Sequence, residues 1–86
     1  MLAIKISKRA NKDQRRFPAK HRRQIAVKLV QLRSTPNPPD SKKLIGYPYR
    51  RVDVGEYRII YQVEKDVLEI LWIGKRNDAE VYRNLR

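Results

Sequence analysis

The apolar positions change their period along the chain, and each change marks an element. Leu2, Ile4 and Ile6 alternate with Ala3 and Lys5, the period-two pattern of a strand with one buried face. Ser7 stands where a helix N-cap belongs, and residues 8 to 16 are polar helix formers with little apolar surface beyond Ala10. Phe17 and Pro18 punctuate the chain, Pro18 being suited to the first turn of a second helix that runs to about Arg33. In that helix Ile25, Leu29 and Leu32 fall at i, i+4 and i+7, and Ala26 and Val30 widen the stripe. Ser34 to Lys43 carries three prolines with Asn, Asp and Ser and reads as a connecting loop. The texture then becomes β-branched and aromatic. Arg50 to Val54, Tyr57 to Glu64 and Val67 to Ile73 read as strands joined by the two-residue loops Gly55-Glu56 and Lys65-Asp66. Asn77 to Arg86 reads as a short helix or an irregular tail. Together these elements predict one α+β domain over residues 1–86: an N-terminal strand and a two-helix hairpin packed on an antiparallel β-meander.

Two-residue loops fix a register, with Val54 opposite Tyr57 and Glu64 opposite Val67. One sheet face then collects Val52, Val54, Tyr57, Ile59, Tyr61, Val63, Leu68, Ile70 and Trp72, an apolar surface expected to lie under the second helix. The opposite face collects Arg51, Asp53, Arg58, Ile60, Gln62, Glu69, Leu71 and Ile73. Its charged members Arg51, Asp53 and Arg58 gather at one end, and Arg76 lies just past the strand that sets Ile73 beside Arg58. Three guanidiniums are thus expected to converge, and like charge on one patch costs energy unless an anion fills it. The plainer reading is ordinary surface charge, with Asp53 and Arg58 an exposed cross-strand ion pair of ~0.2–1 kcal/mol.

Composition sharpens the identity of that anion. The 86 residues hold 21 Lys and Arg against 9 Asp and Glu, a formal charge of +12. Residues 1–43 carry 13 basic and 2 acidic side chains, and residues 44–86 carry 8 and 7, so the excess belongs to the N-terminal half. Such a field favours a polyanion without reading its sequence. Arg15, Arg16, Lys20, Arg22 and Arg23 read singly as the solvated face of a helical hairpin and together as a nucleic-acid footprint. There is no cysteine, no apolar run near the ~20 residues of a membrane span, and no apolar block at the N-terminus, so the chain is expected to be soluble and cytoplasmic. His21, the single histidine, sits among Lys20, Arg22 and Arg23 and reads as a surface residue. Without a Gly-rich phosphate loop, metal-ligand spacing or a carboxylate pair, a metal nuclease is disfavoured. RNA leaves a metal-free route, because its own 2′-hydroxyl attacks the adjacent phosphate and displaces the 5′-oxygen. Arginines suit the developing charge, since their planar forks match phosphate oxygens and stay ionised. They are poor bases, and Tyr82, six residues after Arg76, is the nearest acid, base or stacking group; its alternative is to pack the C-terminal segment on the sheet.

Read in order, Ile4-x-Ile6-Ser7, Lys43-Leu44-x-Gly46, Arg51-Val-Asp-Val-Gly55-Glu-Tyr57-Arg58-Ile-Ile-Tyr61, Ile73-Gly74-Lys75-Arg76 and Glu80-Val81-Tyr82 resemble the RelE toxins of the RelE/ParE superfamily. The resemblance covers essentially the whole chain. It implies the toxin of a type II toxin–antitoxin operon, an endoribonuclease that cleaves messenger RNA in the ribosomal A site with neither metal nor other cofactor. By position, it casts Arg58 as the stabiliser of the transition state, Arg76 as the second phosphate-binding arginine, Tyr82 as base or stacking group, and Arg51 as a basic residue of the preceding strand. Lys42, Lys43, Arg50, Arg22 and Arg23 are the further expected RNA-binding cations. It also implies an acidic antitoxin that wraps the toxin and displaces its C-terminal segment. The chain departs from the pattern at Asp53, where a second basic residue is usual. Two other expectations stay open: a ParE-like toxin that binds gyrase without nuclease chemistry, and a catalytically silent RNA-binding module.

Overall fold

The computed structural model describes residues 1–76; the expected C-terminal helix or tail, and Tyr82 with it, lie outside them. Seven elements follow in order: β1 (Ala3–Ile6), α1 (Lys8–Gln14), α2 (Ala19–Ser34), β2 (Lys42–Lys43), β3 (Arg50–Val54), β4 (Tyr57–Glu64) and β5 (Val67–Lys75). The strands form one sheet in the order β1-β5-β4-β3-β2. The run β2 to β5 is antiparallel as expected, but β1 joins parallel to β5, Ile4 beside Leu68 and Ile6 beside Ile70, so the sheet is mixed. As an edge strand β1 is covered on one side only, and Ile4 and Ile6 each keep 37% exposure instead of forming a buried face. The loop expected over residues 34–43 ends two residues early, because Lys42 and Lys43 pair with Arg51 and Arg50 as a second edge strand. Two lysines on so short an edge discourage further strand addition.

Ser7 does more than cap. Its Oγ accepts the Ala10 N–H at 3.0 Å and donates to the Leu71 carbonyl at 2.9 Å, while its own N–H donates to the Ile70 carbonyl at 2.9 Å. The hydroxyl therefore starts α1 and joins it to β5. Pro18 stands at the N-cap of α2 and its carbonyl takes the Arg22 N–H at 3.0 Å, so the helix begins one residue later than the proline. Ile25, Leu29 and Leu32 are buried as the spacing requires. Ala26 and Val30 do not widen the stripe: each sits about 100° around the helix from its buried neighbour, and Val30 is 56% exposed.

The main core lies between the helices and the sheet, where Ile25, Leu29 and Leu32 meet Val52, Tyr57, Ile59, Tyr61, Leu68, Ile70 and Ile73. Tyr61 is fully buried, and its hydroxyl donates to the Pro36 carbonyl at 2.7 Å, tying the proline loop to the core. Both hairpin registers are as expected, Val54 opposite Tyr57 and Glu64 opposite Val67. A bulge then intervenes. Ile60 pairs with Trp72 and Tyr61 with Ile70, leaving Leu71 as the extra residue, and Ser7 is the partner of its carbonyl. Beyond the bulge the faces exchange, so Ile73 enters the helix-side core and Trp72 moves to the opposite face, the reverse of the strict alternation. There Trp72 packs with Leu44 and Ile60 beneath Tyr47 and Tyr49, a second small apolar cluster.

Candidate anion-binding face

The face opposite the helices carries the charged end of β3 and β4. Arg58 lies directly across from Asp53, and across β5 from Gly74. Its guanidinium donates from Nε to Asp53 Oδ1 at 2.8 Å and from Nη2 to Oδ2 at 3.4 Å, a two-pronged contact. The Arg58 side chain is only 12% exposed and that of Asp53 37%, so this pair is far less open to solvent than an ordinary surface bridge. Asp53 is held below the usual carboxylate range chiefly by the Arg58 hydrogen bond, against the cost of its burial, and further by the charges of Arg58, Arg51 and Arg76. The charges of all three arginines thus bear on one carboxylate. Since its pKa is lowered, Asp53 is a weak base and a fixed negative charge at neutral pH.

The bulge contributes to this arrangement. It brings Gly74 into register with Arg58, and the charge of Arg76, two residues on, reaches Asp53 and helps to lower its pKa. Arg76 is anchored there by its N–H, which donates to the Glu56 carbonyl at 2.9 Å. Gly74 is required by packing: a Cβ built on it would meet Trp72 Cη2 at 1.8 Å and Cζ3 at 2.0 Å. The indole covers the strand beside Arg58, with its buried Nε1–H lacking a hydrogen-bond partner among the described residues.

The expected RNA-binding cations divide. Lys42 pairs with Arg51 and shares its face, and the two line a small cleft of about 120 Å³ with Asp40 and Asp53. Asp40 is itself bound by Lys28 Nζ at 2.7 Å, which lowers its pKa first among several influences. Lys43 and Arg50 pair on the other face, where the Arg50 guanidinium donates to Ser41 Oγ from Nε at 3.3 Å and Nη2 at 3.0 Å. That contact fills the buried serine's needs, so Arg50 is a structural clamp and does not join the cluster. Arg22 and Arg23 are exposed on α2, in the helical layer behind the sheet. His21 is not the bland surface residue expected: it is half-buried, its Nδ1 lies 3.0 Å from the Tyr57 hydroxyl, and Phe17 packs on the same tyrosine ring at 4.3 Å. Sequence reasoning also missed Asp40, Tyr47 and Tyr49. The tyrosines flank Pro48 in a Gly-Tyr-Pro-Tyr run whose aromatic spacing was the available signal. Among the described residues no group of three or more His, Cys, Asp or Glu is placed to hold a metal ion.

The family described as the ParE toxin of the type II toxin–antitoxin system parDE matches residues 4–80. The mRNA interferase toxin RelE of Escherichia coli K12 is 34% identical over 84 residues, covering 92% of this chain and 87% of that protein. The isolated E. coli RelE toxin superposes with a TM-score of 0.79 at 29% identity, over 99% of this chain and 95% of that one. The archaeal RelE–RelB complex of Pyrococcus horikoshii OT3 gives 0.80 at 30% identity, over 91% and 98%. The chain belongs to the RelE/ParE family of type II toxin–antitoxin toxins.

Proposed function

We propose that this protein is a toxin that cleaves messenger RNA on the ribosome, using the RNA's own 2′-hydroxyl as nucleophile. The observation that carries the reading is the placing of Arg51 and Arg58 with Asp53 at one end of one sheet face, Arg58 bound to that carboxylate at 2.8 Å and the charge of Arg76 also lowering its pKa. In the reaction the 2′-oxygen bonds to the adjacent phosphorus as its proton leaves, the P–O5′ bond breaks, and the 5′-oxygen takes up a proton. The products are a 2′,3′-cyclic phosphate and a free 5′-hydroxyl. Arg58 and Arg76 bind the non-bridging oxygens and meet the added charge of the phosphorane, Arg51 and Lys42 hold the flanking backbone, and Tyr82 serves as base or stacking group. Asp53 is a competitor in this scheme: the phosphate must displace it from the Arg58 guanidinium, which attenuates the site relative to one with a second cation there. Curated relatives named mRNA interferases support the reaction class. RelB–RelE complexes among the structural neighbours support a cognate antitoxin as partner. Growth arrest and cut-site mapping on ribosome-bound mRNA test the reading. Arg58→Ala and Arg76→Ala should each lower cleavage by roughly 10²–10³ with the fold intact, and full cleavage by both would refute the assignment.

A second reading has one observation of its own, the family description as a ParE toxin. A gyrase inhibitor of this fold would arrest supercoiling and leave ribosome-bound mRNA whole. The three arginines around one carboxylate have no task in that scheme.

A further inference from the structure

We infer that the β2–β3 hairpin loop, residues 44–49, is a base-stacking shelf for single-stranded RNA, with Tyr47 and Tyr49 as the platform beside the arginine cluster. The inference rests on the reading of the chain as a protein that acts on RNA. The two rings lie nearly parallel, 15° between planes with centroids 6.0 Å apart, and both residues are half-buried. Stacked rings on a loop would ordinarily be mobile, but this loop is closed at both levels. The Leu44 N–H donates to the Tyr49 carbonyl at 2.9 Å and the Tyr47 N–H to the Leu44 carbonyl at 3.3 Å. Gly46 takes the turn at φ +83°, where a side chain would be strained, and Pro48 fixes the backbone between the tyrosines. Underneath, Leu44, Ile60 and Trp72 support the rings. The platform is therefore preorganised, and binding on it orders little that is not already ordered.

Position and charge identify the ligand. Tyr49 is two residues before Arg51, about 6.6 Å along the strand and on the same face. Lys42, paired with Arg51 and on its face, puts a further cation on the side of the rings, and Tyr47 borders a cleft of about 410 Å³. Ile45 projects beside them, 99% exposed. Aromatic faces interleaved with phosphate-binding cations are the chemistry of sequence-tolerant single-strand recognition. A strand whose scissile phosphate lies at Arg58 would pass Arg51 and reach the shelf with a neighbouring base.

The test uses the full chain and a fluorescent 2′-O-methyl hexauridylate, which cannot be cleaved because its 2′-oxygens are capped. Tyr47→Leu and Tyr49→Leu keep apolar bulk over Leu44 but remove the π-face, and each should weaken binding by about 5- to 150-fold. Tyr→Phe at either position should bind within about 2-fold of the parent, and the slope of log affinity against log salt should stay unchanged in all four, whereas Arg51→Ala should flatten it by about 1. In the unaltered protein the ring protons of Tyr47 and Tyr49 should shift on addition of the oligonucleotide, a readout that survives if a Leu variant misfolds. Leu variants that bind like the parent, or ring protons that do not move, overturn the shelf and leave the loop to a protein partner. Tyrosine-dependent binding without cleavage on ribosomes would sustain the shelf and overturn the nuclease reading; cleavage without it would do the reverse.

Discussion

The Asp53–Arg58 pair makes a signed prediction. The carboxylate sits on the guanidinium that the reaction needs, so removing its charge should lessen the competition that a phosphate meets there. Asp53→Asn is expected to raise cleavage and RNA affinity several-fold, a change on the order of the ~1 kcal/mol a partly screened pair supplies; matched single-turnover rates and oligonucleotide titrations check it. The same substitution should alter acid stability. Folding holds the Asp53 pKa below its ordinary value of 3.8, so the pair's contribution is complete above that value and is lost as the pH falls through the lower folded-state value. Urea titrations at neutral pH and near pH 3 should show the parent losing more stability than Asp53→Asn across that interval.

At the scale of elements, one hydroxyl and one bulge place the site. Ser7 caps α1 and satisfies the Leu71 carbonyl at the bulge, so Ser7→Ala removes two hydrogen bonds at once. It should cost about 1–3 kcal/mol, combining a lost cap with an unpaired carbonyl, readable as a lowered urea midpoint. Gly74→Ala drives a methyl into the Trp72 indole and should cost about 1–3 kcal/mol as overpacking. In a double-mutant cycle with Trp72→Leu much of that cost should vanish. These two contacts also explain what could be read from the sequence. The period-two runs and the Lys65-Asp66 loop, whose residues both take positive φ, give β4 opposite β5 in the right register, because turn chemistry and alternation are local. The bulge at Leu71 is specified by Ser7, 64 residues away in sequence, and no local pattern announces it. Hence Trp72 and Ile73 were assigned to exchanged faces, while Arg51, Asp53 and Arg58, on the near side of the bulge, fell together as the alternation says. The parallel pairing of β1, likewise a matter of contacts remote in sequence, was equally hidden.

The whole molecule separates its charge from its candidate chemistry. The helical layer and its flanking loops hold most of the +12, exposed and unspecific, while the sheet face offers a few cations around one carboxylate. Long-range steering by the first should be screened by salt, with a Debye length of ~8 Å at physiological ionic strength. If Lys42, Arg51, Arg58 and Arg76 each engage a phosphate, log affinity for a single strand should fall with log salt at a slope of roughly −3. On the proposed reading the ribosome presents the strand, and the toxin adds cations and a stacking shelf. Whether Arg58 stabilises the transition state of RNA cleavage is read from the rate and end chemistry of cuts in ribosome-bound mRNA with the parent protein and Arg58→Ala. The parent should leave 2′,3′-cyclic phosphate ends and the variant should cut more slowly by roughly 10²–10³; equal rates, or ribosome-bound mRNA left whole by the parent, would contradict that role.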